Sequence, residues 1–128
     1  KALFMLVTKK CNLSFKECVE KLKKVIKDNG AEVFTIIDHD ENAKKVGLTL
    51  GPTVVIYFGN PRVGTLLMIE NREMAYELPL RVVVWEENGN VIIGYKKPSG
   101  LGKEYGITRN VDILRKMDEF MANVINGI

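Results

Sequence analysis

The chain has 128 residues, 46% of them apolar, which suffices for one compact domain over residues 1–128 that buries roughly two-thirds of its unfolded surface. Nineteen Lys and Arg against sixteen Asp and Glu leave a net charge of +3 without a long block of one sign, a balance that favours solubility over nucleic-acid binding. No run of about 18 apolar residues occurs, so no membrane helix is expected. The opening "KALFMLV" is likewise too short for a signal peptide or a span, although residue 1 is Lys rather than Met and leaves room for a segment upstream. Cys11 and Cys18 form neither a zinc spacing nor a disulfide framework, which points to a reducing, cytoplasmic setting.

In chain order, residues 2–8, "ALFMLVT", read as a buried strand, and "KKCN" leads into a helix. Ser14 and Glu17 make a capping box there, with Leu13 and Cys18 as a hydrophobic staple. Phe15, Cys18, Val19, Leu22, Val25 and Ile26 share one helical face, and Gly30 closes the helix as its left-handed cap. Cys18 is thereby a core residue, whereas Cys11, ahead of the cap, is free to be exposed. "EVFTII" forms the second strand.

The following "DHDENAKK" opens a second helix, with Asp38 as cap, Glu41 answering it and Gly47 as the stop. His39, the one histidine, shares a face with Ala43 and Val46, so its ring is expected to turn inward as a structural histidine or as a pocket residue. "TVVIYF" and "TLLMI" flank "GNPRVG" and read as a hairpin, and a short helical turn starts at Asn71 and ends before Pro79. "LRVVVWE" and "NVIIGYK" then join through Asn88 and Gly89, a pair suited to a type I′ turn. That turn pairs Val84 with Ile93, Val82 with Tyr95 and Trp85 with Ile92. A last helix carries Val111, Leu114, Met117, Met121, Val124 and Ile125 on one face. The fold class is α+β, two main helices packed on a mostly antiparallel sheet.

The strands are apolar on both faces, and two helices cover only one. The second face calls for short segments, an apolar ligand or a partner subunit, and a homodimer covers it most simply because a two-fold axis buries the same patch twice.

For chemistry, Asp38, Asp40 and Asn42 match the first ligand positions of a calcium loop, but Ala43 and Thr49 stand where the loop needs Gly and Glu. A zinc set also fails for want of a second histidine or a reachable cysteine pair, so no metal is expected. "FGNPRVG" offers backbone N–H groups beside Arg62, with plain turn geometry as the simpler explanation, and Gly94 inside a strand marks a bulge or a place where another backbone or a ligand approaches. The expected site is a ligand-binding one, at Asp38, His39, Asn60 and Tyr95, for a small molecule or a protein partner. An enzyme using His39 as acid or base beside Asp38 or Asp40 is the alternative. Nucleic-acid binding ranks third, for lack of a basic stripe or an aromatic platform.

Three groups of residues carry a family resemblance: Ile37-Asp38-His39 followed by Ala43 and Gly47-Leu48; Phe58-Gly59-Asn60-Pro61 followed by Gly64-Thr65 and Leu67-Met68; and Leu78-Pro79-Leu80 opening a strand. In this order and spacing the chain, from Ser14 to Pro98 and on into the last helix, resembles the domain of unknown function 302 family. "TKKCNLS" and "GLGKEYGI" are less typical of it. The resemblance implies a fold similar to the TATA-box-binding-protein-like arrangement of strand, helix, four strands and helix, often as a dimer in bacteria and archaea. It implies no activity.

Overall fold

In the computed structural model, which describes residues 6–128, five strands form one antiparallel sheet. They are Val7–Cys11 (β1), Glu32–Asp38 (β2), Thr53–Gly59 (β3), Leu80–Glu87 (β4) and Asn90–Tyr95 (β5), side by side in the order β1-β5-β4-β3-β2. Two long helices, Phe15–Asp28 (α1) and Val111–Asn126 (α5), pack on one face, and three shorter ones, His39–Lys45 (α2), Pro61–Glu70 (α3) and Leu101–Glu104 (α4), fill the connections.

The local signals for α1 act as expected. The Ser14 hydroxyl accepts from the Glu17 N–H and the Glu17 carboxylate accepts from the Ser14 N–H, both at 3.2 Å, which satisfies two amides that helix geometry leaves unpaired. At the other end Gly30, at φ +89°, lets its own N–H reach Lys27 O at 3.0 Å and the Ala31 N–H reach Ile26 O at 3.2 Å. Cys18, Leu22 and Ile26 are fully buried against Val54, Ile56, Phe58, Val82, Val84 and Ile93 of the sheet and Met121 and Val124 of α5. Asn88 and Gly89 both have positive φ, as a type I′ turn requires, and Val84 and Trp85 pair with Ile93 and Ile92.

Three expectations are corrected. Among the described residues the first strand is Val7–Cys11, so it extends past the expected end at residue 8; residues 2–5 of the expected strand lie outside the described residues. Its "KKC" is part of an edge strand, where lysines are tolerated, and Lys9 extends its ammonium to the Ile125 carbonyl at 3.1 Å. Cys11 shares the helix-covered face with Lys9 by strand alternation and is buried, not exposed. "TLLMI" is helical: Pro61 occupies the first turn, and the Asn60 carboxamide oxygen accepts from the Arg62 N–H at 3.0 Å. An Asn-Pro pair starts a helix as readily as it makes a turn. The helix leaves four strands after α1, the strand-helix-four strands-helix order that the resemblance implies.

The opposite sheet face presents Val55, Tyr57, Val83, Trp85 and Ile92, all half-buried. Gly94 explains itself here, since a Cβ at that position would stand 3.3 Å from both the Trp85 ring and a Val83 methyl. Arg81 adds its guanidinium carbon 5.0 Å from the Tyr57 ring centroid.

Leu22 contacts both layers at the centre of the core. Leu22→Ala is expected to cost about 2–5 kcal/mol in urea unfolding; a loss below 0.5 kcal/mol would contradict this packing.

Candidate functional site

The expected site residues do not converge. The Asp38 carboxylate is used as the cap of α2 and accepts from the Glu41 N–H at 2.9 Å. Asp40 accepts from the Gly51 N–H at 3.0 Å and stands 3.6 Å from the Lys44 ammonium. The helix ends as its glycine dictates, with Gly47 at φ +77° and the Leu48 N–H on Ala43 O at 2.9 Å. α2 buries none of its residues, however, so His39 is exposed and the inward orientation is corrected. Val46, its expected companion on a core-facing side, is 72% exposed.

β2 and β3 run antiparallel, pairing Asp38 with Val54 and Glu32 with Gly59. Asn60 follows Gly59, so His39 and Asn60 lie at opposite ends of β3, separated by roughly 23 Å of strand rise. Tyr95 belongs to the core beneath the helices, where burial, and secondarily the Asp118 carboxylate, raises the pKa of its hydroxyl above the ordinary value. Cys11 and Cys18, both unbridged, are neighbours in that core; burial, reinforced by Cys11, pushes the Cys18 thiol far above its ordinary range and away from the reactive thiolate. Among the described residues, no three His, Cys, Asp or Glu side chains come together as a metal would require.

Asn60 does line a cavity. It has a volume of about 700 Å³, within the span of small-molecule sites, and opens between α3 and α5. One wall is the loop Asn29–Ala31 after α1 with Phe34 of β2; the next is Gly59 through Leu66 and Met68, from the end of β3 along α3. Leu78, Pro79 and Leu80, with a cis peptide before Pro79, form a third, and Ile113, Lys116, Met117 and Phe120 of α5 complete the enclosure. Gly59 and Gly64 keep the wall thin: a Cβ on them would touch Phe34 at 3.5 Å and Leu78 at 3.6 Å. Arg62 and Lys116 are the charged residues of the lining.

The separation of α3 from α5 is set by Glu70, the last residue of α3. Its carboxylate accepts from the backbone N–H groups of Thr108, Arg109 and Asn110 at 2.7, 3.0 and 3.0 Å and from the Asn110 side-chain amide at 2.8 Å. Those amides precede α5, whose own cap residue Asn110 supplies no side-chain bond to it. Donation from Arg109 and Thr108, with Asn110 behind them, holds the carboxyl down at about 2. Beside this clamp the Tyr105 hydroxyl donates to Glu77 at 2.6 Å, which pushes its pKa up to about 12, and the Asn71 amide donates to Tyr105 O at 2.8 Å.

Sequence reasoning found Asn60 and Arg62 and missed Glu70, Lys116 and Phe120. For Glu70 the available signal was the polar Thr108-Arg109-Asn110 stretch ahead of a helix that lacks a carboxylate of its own at the cap. Lys116 and Phe120 are four apart on α5, flanking its buried stripe, a spacing that periodicity alone assigns to the core margin.

Residues 7–124 match the family described as Domain of unknown function DUF302. The chain belongs to this family. A crystal structure of an uncharacterized conserved DUF302 protein from Bacillus stearothermophilus superimposes with a TM-score of 0.88 at 25% identity, over 97% of this chain and 98% of that one. Among curated proteins, the chain is 37% identical over 112 residues to the fluoride-specific ion channel FluC 1 of Brucella suis biovar 1 (strain 1330), covering 87% of this chain and 44% of that protein. The fluoride-specific ion channel FluC 2 of Brucella melitensis biotype 1 matches at the same identity over 42% of its length. The DUF302 chain thus spans less than half of these curated relatives. Among its described residues, no helix is long and apolar enough to cross a membrane.

The Glu70 clamp sets a pH dependence with a definite sign. Because the folded carboxyl titrates at about 2 against an ordinary 4.5, its stabilisation is complete above the ordinary value and is lost as pH falls from about 4.5 to 2. Glu70→Gln is expected to be less stable near neutrality and to lose less on acidification than the wild type in pH-dependent urea melts. Parallel profiles for the two proteins would refute the clamp.

Proposed function

We propose that this DUF302 domain is a non-catalytic, small-molecule-binding domain that acts as a homodimer, with the cavity between α3 and α5 as its binding site. The observation that carries the reading is the cavity itself, of about 700 Å³ and predominantly apolar in its lining side chains. Two of the three residue groups behind the family resemblance, Gly59-Asn60-Pro61 with Gly64-Thr65 and Met68, and Leu78-Pro79-Leu80, meet on its walls. Sequence-distant motifs joined at one hollow are what a recognition site needs. The unbridged thiols and the bacterial sources of the relatives support a prokaryotic, cytoplasmic setting. The channel activity named for the Brucella proteins belongs to chains more than twice as long as the matched segment, and our reading carries over the matched segment alone, as a ligand-responsive domain attached to the rest.

Dimerisation is supported by the sheet face carrying Val55, Tyr57, Val83, Trp85 and Ile92, which α1 and α5 leave on the far side. Antiparallel sheets tolerate one wet face when it is polar, and this one is largely apolar.

Binding is tested with the neutral fluorescent probe N-phenyl-1-naphthylamine. The wild type is expected to enhance its emission, and Thr65→Trp, which fills the cavity from an exposed position on α3, to weaken binding by about tenfold or more, a change of at least 1.4 kcal/mol. Equal binding by both proteins, or none by either, would overturn the assignment. For assembly, sedimentation at micromolar concentration is expected to show a dimer that Val83→Lys converts to monomer, and a monomeric wild type would refute it.

A further inference from the structure

We infer that the cavity takes a single-chain amphiphile with an anionic head group, of the fatty-carboxylate class. This rests on the ligand-binding reading above and adds the charge and shape of the ligand. The charged side chains of the lining, Arg62 and Lys116, are both cationic and come from different helices, α3 and α5. No acidic side chain lines the cavity, and neither cation enters an ion pair among the described residues. In a chain with sixteen carboxylates, two unpaired cations facing one apolar hollow make a complementary surface for an anion. Glu70, the acid of α3, is turned to the amides of residues 108–110 and leaves the cation pair uncompensated.

The position of the charges separates a head from a tail. Arg62 and Lys116 are exposed, beside exposed Asn60, Pro61 and Thr65, so the polar end of a ligand would sit at the mouth. Phe34, Met68, Leu78, Ile113, Met117 and Phe120 supply apolar wall for a hydrocarbon chain. The guanidinium offers a planar pair of donors that matches a carboxylate, the lysine adds a point charge, and the positive end of α3 acts in the same direction. A volume of about 700 Å³ suits one alkyl chain with its head group and is too small for the paired chains of a diacyl lipid.

The test is isothermal calorimetry with matched decyl compounds: decanoate, decanol and decyltrimethylammonium. The wild type is expected to bind decanoate about tenfold more tightly than decanol and the ammonium compound most weakly. The double variant Arg62→Gln, Lys116→Gln is expected to bring decanoate within about threefold of decanol, while Arg62→Lys, Lys116→Arg retains the preference; far-UV circular dichroism confirms that each variant folds. Decanol binding as tightly as decanoate, or a double variant with the wild-type preference, would overturn the anionic class and leave the binding reading intact. Failure of all three compounds to bind would overturn both.

Discussion

The clamp of Glu70 on the start of α5 is the contact on which the rest of the site depends. A helix begins with amides that have no partner inside it, and α5 has no side-chain cap of its own at Asn110. A carboxylate from α3 instead fixes the approach to the helix, accepting from the N–H groups of Thr108 and Arg109 before the cap, from the Asn110 cap N–H and from the Asn110 side-chain amide, while that side chain also reaches Leu66 O at 3.4 Å. The far end of α5 is held by Lys9 on the Ile125 carbonyl, where the helix's partial negative charge favours a cation. Both ends of the helix are therefore fastened by other elements, α3 and β1. A hollow between α3 and α5 persists because these attachments hold the two helices apart at fixed separation, and the glycines of its wall add no bulk that would close it.

The two faces of the sheet divide the labour of the fold. Beneath α1 and α5 the alternation of β3 places Val54, Ile56 and Phe58 in a dry core, and Phe120 of α5 sits with its ring 6.0 Å from that of Phe58. Phe120 also lines the cavity, so the core and the proposed site share a wall. A ligand in the cavity would press on α5 and, through it, on the sheet. The opposite face keeps its apolar residues half-buried, with Trp85 lying across the space that Gly94 provides and Arg81 over Tyr57. These side chains leave an apolar surface of the kind a second copy can cover.

Elements governed by local chemistry were legible in the sequence. The Ser14 box, the Gly30 and Gly47 stops, the Asn71 turn and the Asn88-Gly89 hairpin each depend on a few adjacent residues, and each forms where those residues stand. The misreadings arose where a local signal has two outcomes. Asn60-Pro61 can turn a hairpin or begin a helix, and the apolar "TLLMI" that follows fits either period; as a helix it leaves Ile69 73% exposed, an outcome a strand pattern does not anticipate. The spacing of His39, Ala43 and Val46 turns a face inward only where a helix has a core to face, and the seven-residue α2 buries none of its residues. Cys11 changed sides because β1 extends further than its apolar start. The cavity was not legible at all: its walls come from four separate stretches of chain, and only tertiary packing brings Lys116 and Arg62 into one lining.

The most direct test of the ligand site is amide chemical-shift mapping of the isotope-labelled chain titrated with decanoate. The account predicts progressive shifts confined to residues 29–34, 59–68, 78–80 and 113–120 around the cavity. Shifts centred on α2 and His39, or on Val55, Val83 and Ile92 of the open sheet face, would contradict it.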